Sequence, residues 1–244
     1  MAGVFSRLKQ LIRSFIVKDF LKNLRAPSMS ESEQKALAIG LINSEQITAY
    51  VNCLTTGLPK DRILQLLTES WKIYEKADAY DRIEWLQNEG HRAYYSKLYP
   101  LYKLNPDIRN EQFQTLFEEK TKKAIQFADN LLECSAEWGN DGFAAFNDEN
   151  MKKGILAWDL GRLVVIARLS FDMGYIDEKT AWGFIKKAYE TATLEYENWK
   201  EFAVSYLIGR GMWSGDNMML SGLYVIAKGA FTNHGSPWKN LSFK

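Results

Sequence analysis

The sequence is poor in the residues that build metal centres and disulfide scaffolds. Cys53, Cys134, His91 and His234 are its only cysteines and histidines in 244 residues. Two cysteines exclude a disulfide-stapled fold and a four-cysteine zinc site. Two histidines disfavour a histidine-rich metal centre. The sequence therefore predicts no metal site and no cofactor.

Net charge and long apolar runs are also scarce. The formal net charge is +1, so the chain has no global attraction for nucleic acid, and we predict no nucleic-acid partner. No apolar run reaches the roughly 18 residues of a membrane-spanning helix. No pattern typical of a secretory signal is present, and we therefore expect a cytoplasmic protein.

Aromatic residues are abundant, and apolar residues recur at helical spacing. Phe, Trp and Tyr make up 14% of the chain, and only five prolines interrupt it. We find no convincing strand alternation. The pattern predicts an all-α fold, a multi-helix globular bundle that is mainly one domain.

We divide the chain into three parts. Residues 1–27 read as an amphipathic basic helix ended by Pro27, residues 28–138 as an N-terminal helical part, and residues 139–244 as a helical core. The boundary is the loop at 139–148, which is rich in turn residues. Residues 1–25 carry six basic residues and one acid, so this helix either packs on the body of the protein or binds a membrane surface or partner.

Local signals predict several helix ends. Ser30 and Glu33 have capping-box spacing, and Asp177 can cap a helix over 178–196. A long helical pattern covers 109–137. A helix over 199–209 is expected to end in the glycine-rich run formed by Gly209, Gly211 and Gly215.

The C-terminal part carries an ordered set of short motifs. Their order and spacing over residues 130–242 resemble the bacterial family called domain of unknown function 1266 (DUF1266). The resemblance implies a bacterial, cytoplasmic, helical protein and brings no established reaction. The motifs are Ala157-Trp158-Asp159-Leu160-Gly161-Arg162, Ala167-Arg168, Gly174-Tyr175-Ile176, Glu178 with Ala181-Trp182, Trp199-Lys200-Glu201-Phe202, Ser205 to Arg210, Trp213 to Asp216, and Ser236-Pro237-Trp238.

Charged residues in this region form a candidate ligand pocket. Asp159 and Arg162 are three apart on one predicted helix, so their side chains can meet. In one interpretation Arg162 binds an anion that Asp159 orients; in the other the pair is a structural salt bridge. The full candidate set is Asp159, Arg162, Arg168, Glu201, Tyr206, Arg210, Trp213 and Asp216.

The glycine-rich run after Ile208 is not a phosphate loop. It lacks the closing Gly-Lys-Ser/Thr, and no strand precedes it. It is either a tight interhelical turn, with Arg210 at a helix end, or the rim of a pocket formed by Arg210, Trp213 and Asp216.

A tyrosine-rich segment is the candidate partner interface. Tyr94, Tyr95, Tyr99 and Tyr102 combine apolar rings with polar hydroxyls, which suits an interface. The alternative is a tyrosine-rich core with hydroxyls at its edge. His91, in a charged helix, is expected to be solvated.

Catalytic templates are absent from the sequence. We find no serine triad, no catalytic-thiol signature and no Glu-x-x-His pair. We therefore expect a protein-interaction module rather than an enzyme, and an immunity protein that neutralises a cognate toxin is one form of it. The alternatives are an enzyme or small-ligand binder that uses the Asp/Arg-lined pocket, and a peripheral membrane protein anchored by residues 1–25.

Overall fold

A computed structural model of the protein describes residues 19–244, which contain helices and no strand. The predicted all-α class is confirmed. The helices are α1 (Glu31–Ala38), α2 (Leu41–Gln46), α3 (Lys60–Gln65), α4 (Lys76–Asn88), α5 (Arg92–Leu98), α6 (Pro106–Phe117), α7 (Thr121–Trp138), α8 (Asp148–Met151), α9 (Leu156–Asp172), α10 (Glu178–Glu195), α11 (Trp199–Ser214), α12 (Met218–Ala230) and α13 (Pro237–Asn240), with a π-helical turn at Leu66–Ser70 and a 3-10 turn at Glu118–Lys120.

The described residues divide into two compact units, and neither is continuous in sequence. The first unit contains His91–Trp158 and Lys200–Val225. The second contains the described residues up to Gly90, together with Asp159–Trp199 and Ile226–Lys244. The loop at 139–148 lies inside the first unit, and the predicted three-part division of the chain stays a prediction.

In the first unit, α5 and α6 pack against α7. Arg109 of α6 is buried, and its Nη2 lies 2.7 Å from Asp129 Oδ1 of α7. The long helix predicted over 109–137 is wrong, because Glu118 adopts a φ of 49° and interrupts it. Phe117 before the break and Phe127 after it both contact the Tyr94 ring, each at 5.6 Å between centroids. A continuous helix would hold residues ten apart about 15 Å from each other along its axis.

In the second unit, α1 packs against α10 and α13. The predicted caps are confirmed: Ser30 and Glu33 form a capping box on α1, and Asp177 accepts from the Thr180 amide at the start of α10. The Trp238 indole of α13 is buried and donates to the Ala38 carbonyl at 2.8 Å. Tertiary contacts therefore join α1, near the start of this unit in sequence, to α13, near its end.

The predicted N-terminal helix is only partly within the described residues. Its residues 1–18 lie outside them, and the helix prediction is wrong for residues 19–25, which are not helical. Leu21 O accepts from the Val51 amide, and the Asn23 backbone exchanges two hydrogen bonds with the Asn52 side chain. These tertiary partners take the backbone groups that an i→i−4 ladder would need.

No helix within residues 19–244 has the length and apolar character needed to cross a membrane.

Candidate functional site

The candidate site lies in the first unit, where α11 passes against Trp158 at the start of α9. A Cβ atom added at Gly209 would lie 2.3 Å from the Trp158 Cβ. A Cβ at Gly211 would lie 2.5 Å from the Phe146 ring. The predicted helix end at these two glycines is therefore wrong. Both lie inside α11, where the absence of side chains permits close packing.

Gly215 does leave the helix, with a φ of 72°. Because α11 continues to Ser214, Arg210 lies inside the helix and not at the helix end predicted for it. Tyr206, Arg210 and Trp213 are spaced by four and three residues, so they lie along one face of α11.

Arg210 is half-buried, and its guanidinium is stacked on an aromatic ring. The guanidinium carbon lies 5.8 Å from the centroid of the Trp158 indole. The buried Nε has no hydrogen-bond partner, and among residues 19–244 the guanidinium forms no ion pair. Burial lowers the pKa of Arg210, an effect that the nearby Tyr206 opposes. The side chain stays cationic at neutral pH because the reference pKa is so high.

Tyr206 completes the wall beside Arg210. Its side chain is fully buried, and its ring meets the Trp158 ring edge-to-face at 5.1 Å. The structure therefore brings Tyr206 and Arg210 together around Trp158. The cluster of Trp158, Tyr206, Gly209 and Arg210 is called the Arg210 cluster below.

Trp213, one turn beyond Arg210, belongs to a neighbouring aromatic group. Its half-buried ring lies 4.7 Å from the His91 ring and 5.7 Å from that of Phe127. The Lys123 ammonium lies 4.7 Å from the Trp213 centroid. His91 is buried, so the expectation that it is solvated is wrong. Its neighbours in sequence are charged, and the aromatic rings that cover it come from other helices.

The other two candidates in this unit have partners of their own. Glu201 forms an ion pair with Lys153 at 2.7 Å. Asp216 accepts from the Trp138 indole at 3.0 Å. Both carboxylates are therefore engaged by groups other than Arg210.

Asp159 and Arg162 are both buried in the second unit. Arg162 Nη2 lies 2.6 Å from Asp159 Oδ1, which confirms the predicted contact between residues three apart. The Arg162 guanidinium also lies 5.7 Å from the Trp71 ring. This geometry matches the salt-bridge alternative, and a ligand-binding role for the pair stays a prediction.

Arg168 is fully buried and is not grouped with that pair. Its guanidinium donates to four carbonyl oxygens and one hydroxyl at 2.6–3.1 Å. The carbonyls belong to Tyr50, Cys53, Leu54 and Thr55, and the hydroxyl to Ser44. Burial lowers the pKa of Arg168 to about 10. Its donors are therefore used to hold the loop at 50–55.

The four tyrosines of the candidate interface form one stack and one separate contact. Tyr99 stacks between Tyr95 and Tyr102 at 5.2 and 5.5 Å, whereas Tyr94 stacks on Phe117. Tyr95 and Tyr102 are 4% and 2% exposed, and the Tyr95 hydroxyl donates to the Met151 carbonyl. These two rings are thus core residues and offer no exposed surface. Tyr94 and Tyr99 are half-buried, and partner binding through them stays a prediction.

Sequence reasoning missed Trp158, Gly209 and Lys123 as members of these clusters. Trp158 belongs to the family-like motif, but nothing local indicated that Arg210 would stack on it.

The described residues contain no group of three or more His, Cys, Asp or Glu positioned to hold a metal ion.

Comparison with known proteins decides the family. Residues 66–243 match the family described as "Protein of unknown function (DUF1266)". The chain belongs to this family. The match confirms the resemblance seen over 130–242 and begins earlier in the chain.

This DUF1266 member is similar to the "Uncharacterized protein YbeR" of Escherichia coli (strain K12), with 22% identity over 147 residues. The aligned region covers 60% of this chain and 56% of YbeR, so the chain spans about half the length of that curated relative. No solved structure matches the chain.

Proposed function

We propose that this DUF1266 protein binds a small anionic ligand through Arg210. The observation that carries the proposal is a half-buried guanidinium, stacked on Trp158, that has no carboxylate partner among residues 19–244. A partly desolvated cation is stabilised when an anion reaches it. The guanidinium fork suits carboxylate or phosphate oxygens, and the indole supplies an apolar wall beside them.

The first test measures ligand-induced thermal stabilisation with sodium phosphate and sodium acetate as probes, each against sodium chloride at equal ionic strength. A ligand that binds only the folded state raises its stability. We expect at least one probe to raise the Tm of the parent and the Arg210→Met variant to bind it at least tenfold more weakly. The relative response to phosphate and acetate distinguishes the two anion classes.

The matched control is Arg82→Met. Arg82 of α4 also lies over a tryptophan, Trp85, at 5.4 Å. Unlike Arg210, it has no buried nitrogen that lacks a hydrogen-bond partner among residues 19–244. This variant should keep the full response. Arg210→Met should keep its ligand-free stability within about 1 kcal/mol, since among residues 19–244 it loses a cation–π contact and no ion pair. A large loss of ligand-free stability, or a probe response that does not depend on Arg210, would count against the proposal.

Protein interaction is the second candidate, supported by the outward face of α6. Ile108 and Leu116 are 52% and 43% exposed, although Arg109, Phe113 and Phe117 already provide the buried face of this helix. Two exposed branched apolar side chains on one helix suit contact with a partner protein. Neutralisation of a toxin is one form that this interaction would take.

Co-purification tests the interaction. A stoichiometric partner recovered with the parent should be lost with the double variant Ile108→Asp and Leu116→Asp while the Tm is kept. If that partner is a toxin, co-expression of the parent should relieve growth inhibition and co-expression of the variant should not. Equal recovery of partner with both proteins would dismiss the α6 face.

The cytoplasmic location expected from the sequence remains part of the proposal. A membrane-surface role would depend on residues 1–25, of which only 19–25 are described. Salt-sensitive binding to anionic vesicles, lost when residues 1–25 are deleted, would favour that alternative.

A further inference from the structure

A separate cleft lies in the second unit and shares no residue with the Arg210 cluster. Its volume is about 260 Å³. The segment before α1, the loop at 51–52 and the C-terminal segment around α13 supply its walls, with Lys22, Ser28, Gln34, Asn52, Gly235 and Asn240 among the lining residues. The volume is slightly below the range of about 300–1,000 Å³ typical of drug-sized ligands, so it suits a metabolite of smaller size.

Hydrogen bonds hold the cleft walls in place. The Asn23 backbone exchanges hydrogen bonds with the Asn52 side chain at 2.8 and 3.0 Å. The side-chain Nε2 of Gln34 donates to the Met29 carbonyl at 2.9 Å. The side-chain Nδ2 of Asn240 donates to the His234 and Ser236 carbonyls at 2.8 and 2.9 Å. The lining is therefore largely pre-formed, which lowers the entropic cost of ligand binding.

The same hydrogen bonds leave acceptor oxygens available. The side-chain amide nitrogens of Gln34 and Asn240 both donate hydrogen bonds, so the orientation of each side-chain amide is fixed. Neither Gln34 Oε1 nor Asn240 Oδ1 accepts a hydrogen bond within residues 19–244. Both side chains are exposed, and their oxygens can accept from hydroxyl or amino hydrogens of a ligand that replaces water there.

Lys22 supplies the charge of the cleft. Its Nζ lies 3.7 Å from the position that a Cβ on Gly235 would occupy, which places the ammonium against the C-terminal wall. Within the described part of the chain, Lys22 forms no ion pair, and no carboxylate lines the cleft. Lys22 is exposed, so its ammonium remains hydrated and attracts a negatively charged ligand through long-range electrostatics.

We propose that this cleft is a second ligand site, which binds a small hydroxylated monocarboxylate of the sugar-acid type. The carboxylate pairs with the Lys22 ammonium, and hydroxyl groups donate to Gln34 Oε1 and Asn240 Oδ1. The site goes beyond the proposed function, since its lining shares no residue with the Arg210 cluster.

Isothermal titration of the full chain tests the site with D-gluconate as probe and sorbitol as its uncharged counterpart. We expect D-gluconate to bind and sorbitol to bind at least tenfold more weakly. Lys22→Met removes the ammonium and keeps most of the apolar stem, and it should weaken D-gluconate binding at least tenfold. Lys60→Met is the matched control, because Lys60 is an exposed lysine of the same unit outside the cleft, and this variant should bind like the parent.

Arg210→Met separates this site from the first one. D-gluconate binding that survives in Arg210→Met and is lost in Lys22→Met supports the cleft. Binding that is lost in Arg210→Met and kept in Lys22→Met overturns the cleft and assigns the anion to the Arg210 cluster. Absence of D-gluconate binding to the parent, or equal binding of sorbitol, also overturns the proposal.

Discussion

The side chain of Arg168 is fully buried, and its guanidinium donates a network of hydrogen bonds. Five hydrogen bonds from its guanidinium hold the loop at 50–55 and Ser44 in place. Four residues further along α9, Asp172 accepts from both the amide and the hydroxyl of Thr56, which directly follows that loop. One turn of α9 therefore orders a segment that has no regular secondary structure of its own.

At the residue scale we predict that Arg168→Met destabilises the protein by about 3 kcal/mol or more, because several buried carbonyls lose their donors together. Urea unfolding measures the loss. Cys53 in the loop should react faster with a thiol reagent in this variant, whereas Cys134 of the first unit should stay protected. An Arg168→Met protein with parental stability and parental Cys53 reactivity would show that the loop is held by other contacts.

The residue type and its region could be predicted for Arg168, but its role could not. A conspicuous arginine in a helix was assigned to a ligand pocket, because a sequence does not show that its acceptors come from more than 110 residues away. Arg210 was assigned to the same pocket from the same kind of signal. Tertiary packing gave Arg168 five acceptors and left Arg210 without an ion pair among residues 19–244.

At the element scale, the continuity of α11 depends on glycine for close packing. Gly209 and Gly211 lie where Trp158 and Phe146 approach the helix backbone, and helix propensity alone would favour alanine at both positions. Glycine usually weakens a helix, which is why the sequence suggested a helix end here. The close approach of aromatic rings reverses that expectation.

We predict different effects on stability for two glycine substitutions within the first unit. Gly209→Ala should destabilise the protein by about 1–3 kcal/mol, because the new methyl group overlaps Trp158. Gly222→Ala in α12 meets no atom within 4 Å and should be neutral or stabilising by up to about 1 kcal/mol. Chemical denaturation compares both with the parent. If Gly209→Ala is as stable as Gly222→Ala, Trp158 does not constrain α11.

At the scale of the whole molecule, both compact units are assembled from distant parts of the sequence. Of the described residues, the first unit takes 91–158 and 200–225, and the second takes the remaining segments. The family-matched region, residues 66–243, is therefore divided between the two units. A linear cut in the chain cannot isolate either unit.

We predict that a fragment of residues 139–244 does not fold cooperatively. It lacks α5, α6 and α7 of the first unit and α1 to α4 of the second. The apolar faces that these helices cover would be exposed, so thermal melting followed by circular dichroism should show a broad, non-cooperative transition. A sharp transition in the fragment, comparable with that of the full chain, would establish 139–244 as an independent domain.

The sequence alone determined the helical class, the caps at Ser30 and Asp177, the family and the contact between Asp159 and Arg162. These features depend on spacing within one helix turn or on motifs that stand together in the chain. Only the tertiary structure decided that residues 19–25 are not helical, that α11 continues through two glycines, and that His91 and two of the tyrosines are buried. It also decided that Arg168 meets its acceptors while Arg210 Nε meets none among residues 19–244, because acceptors, covering rings and cleft walls come from segments far apart in sequence.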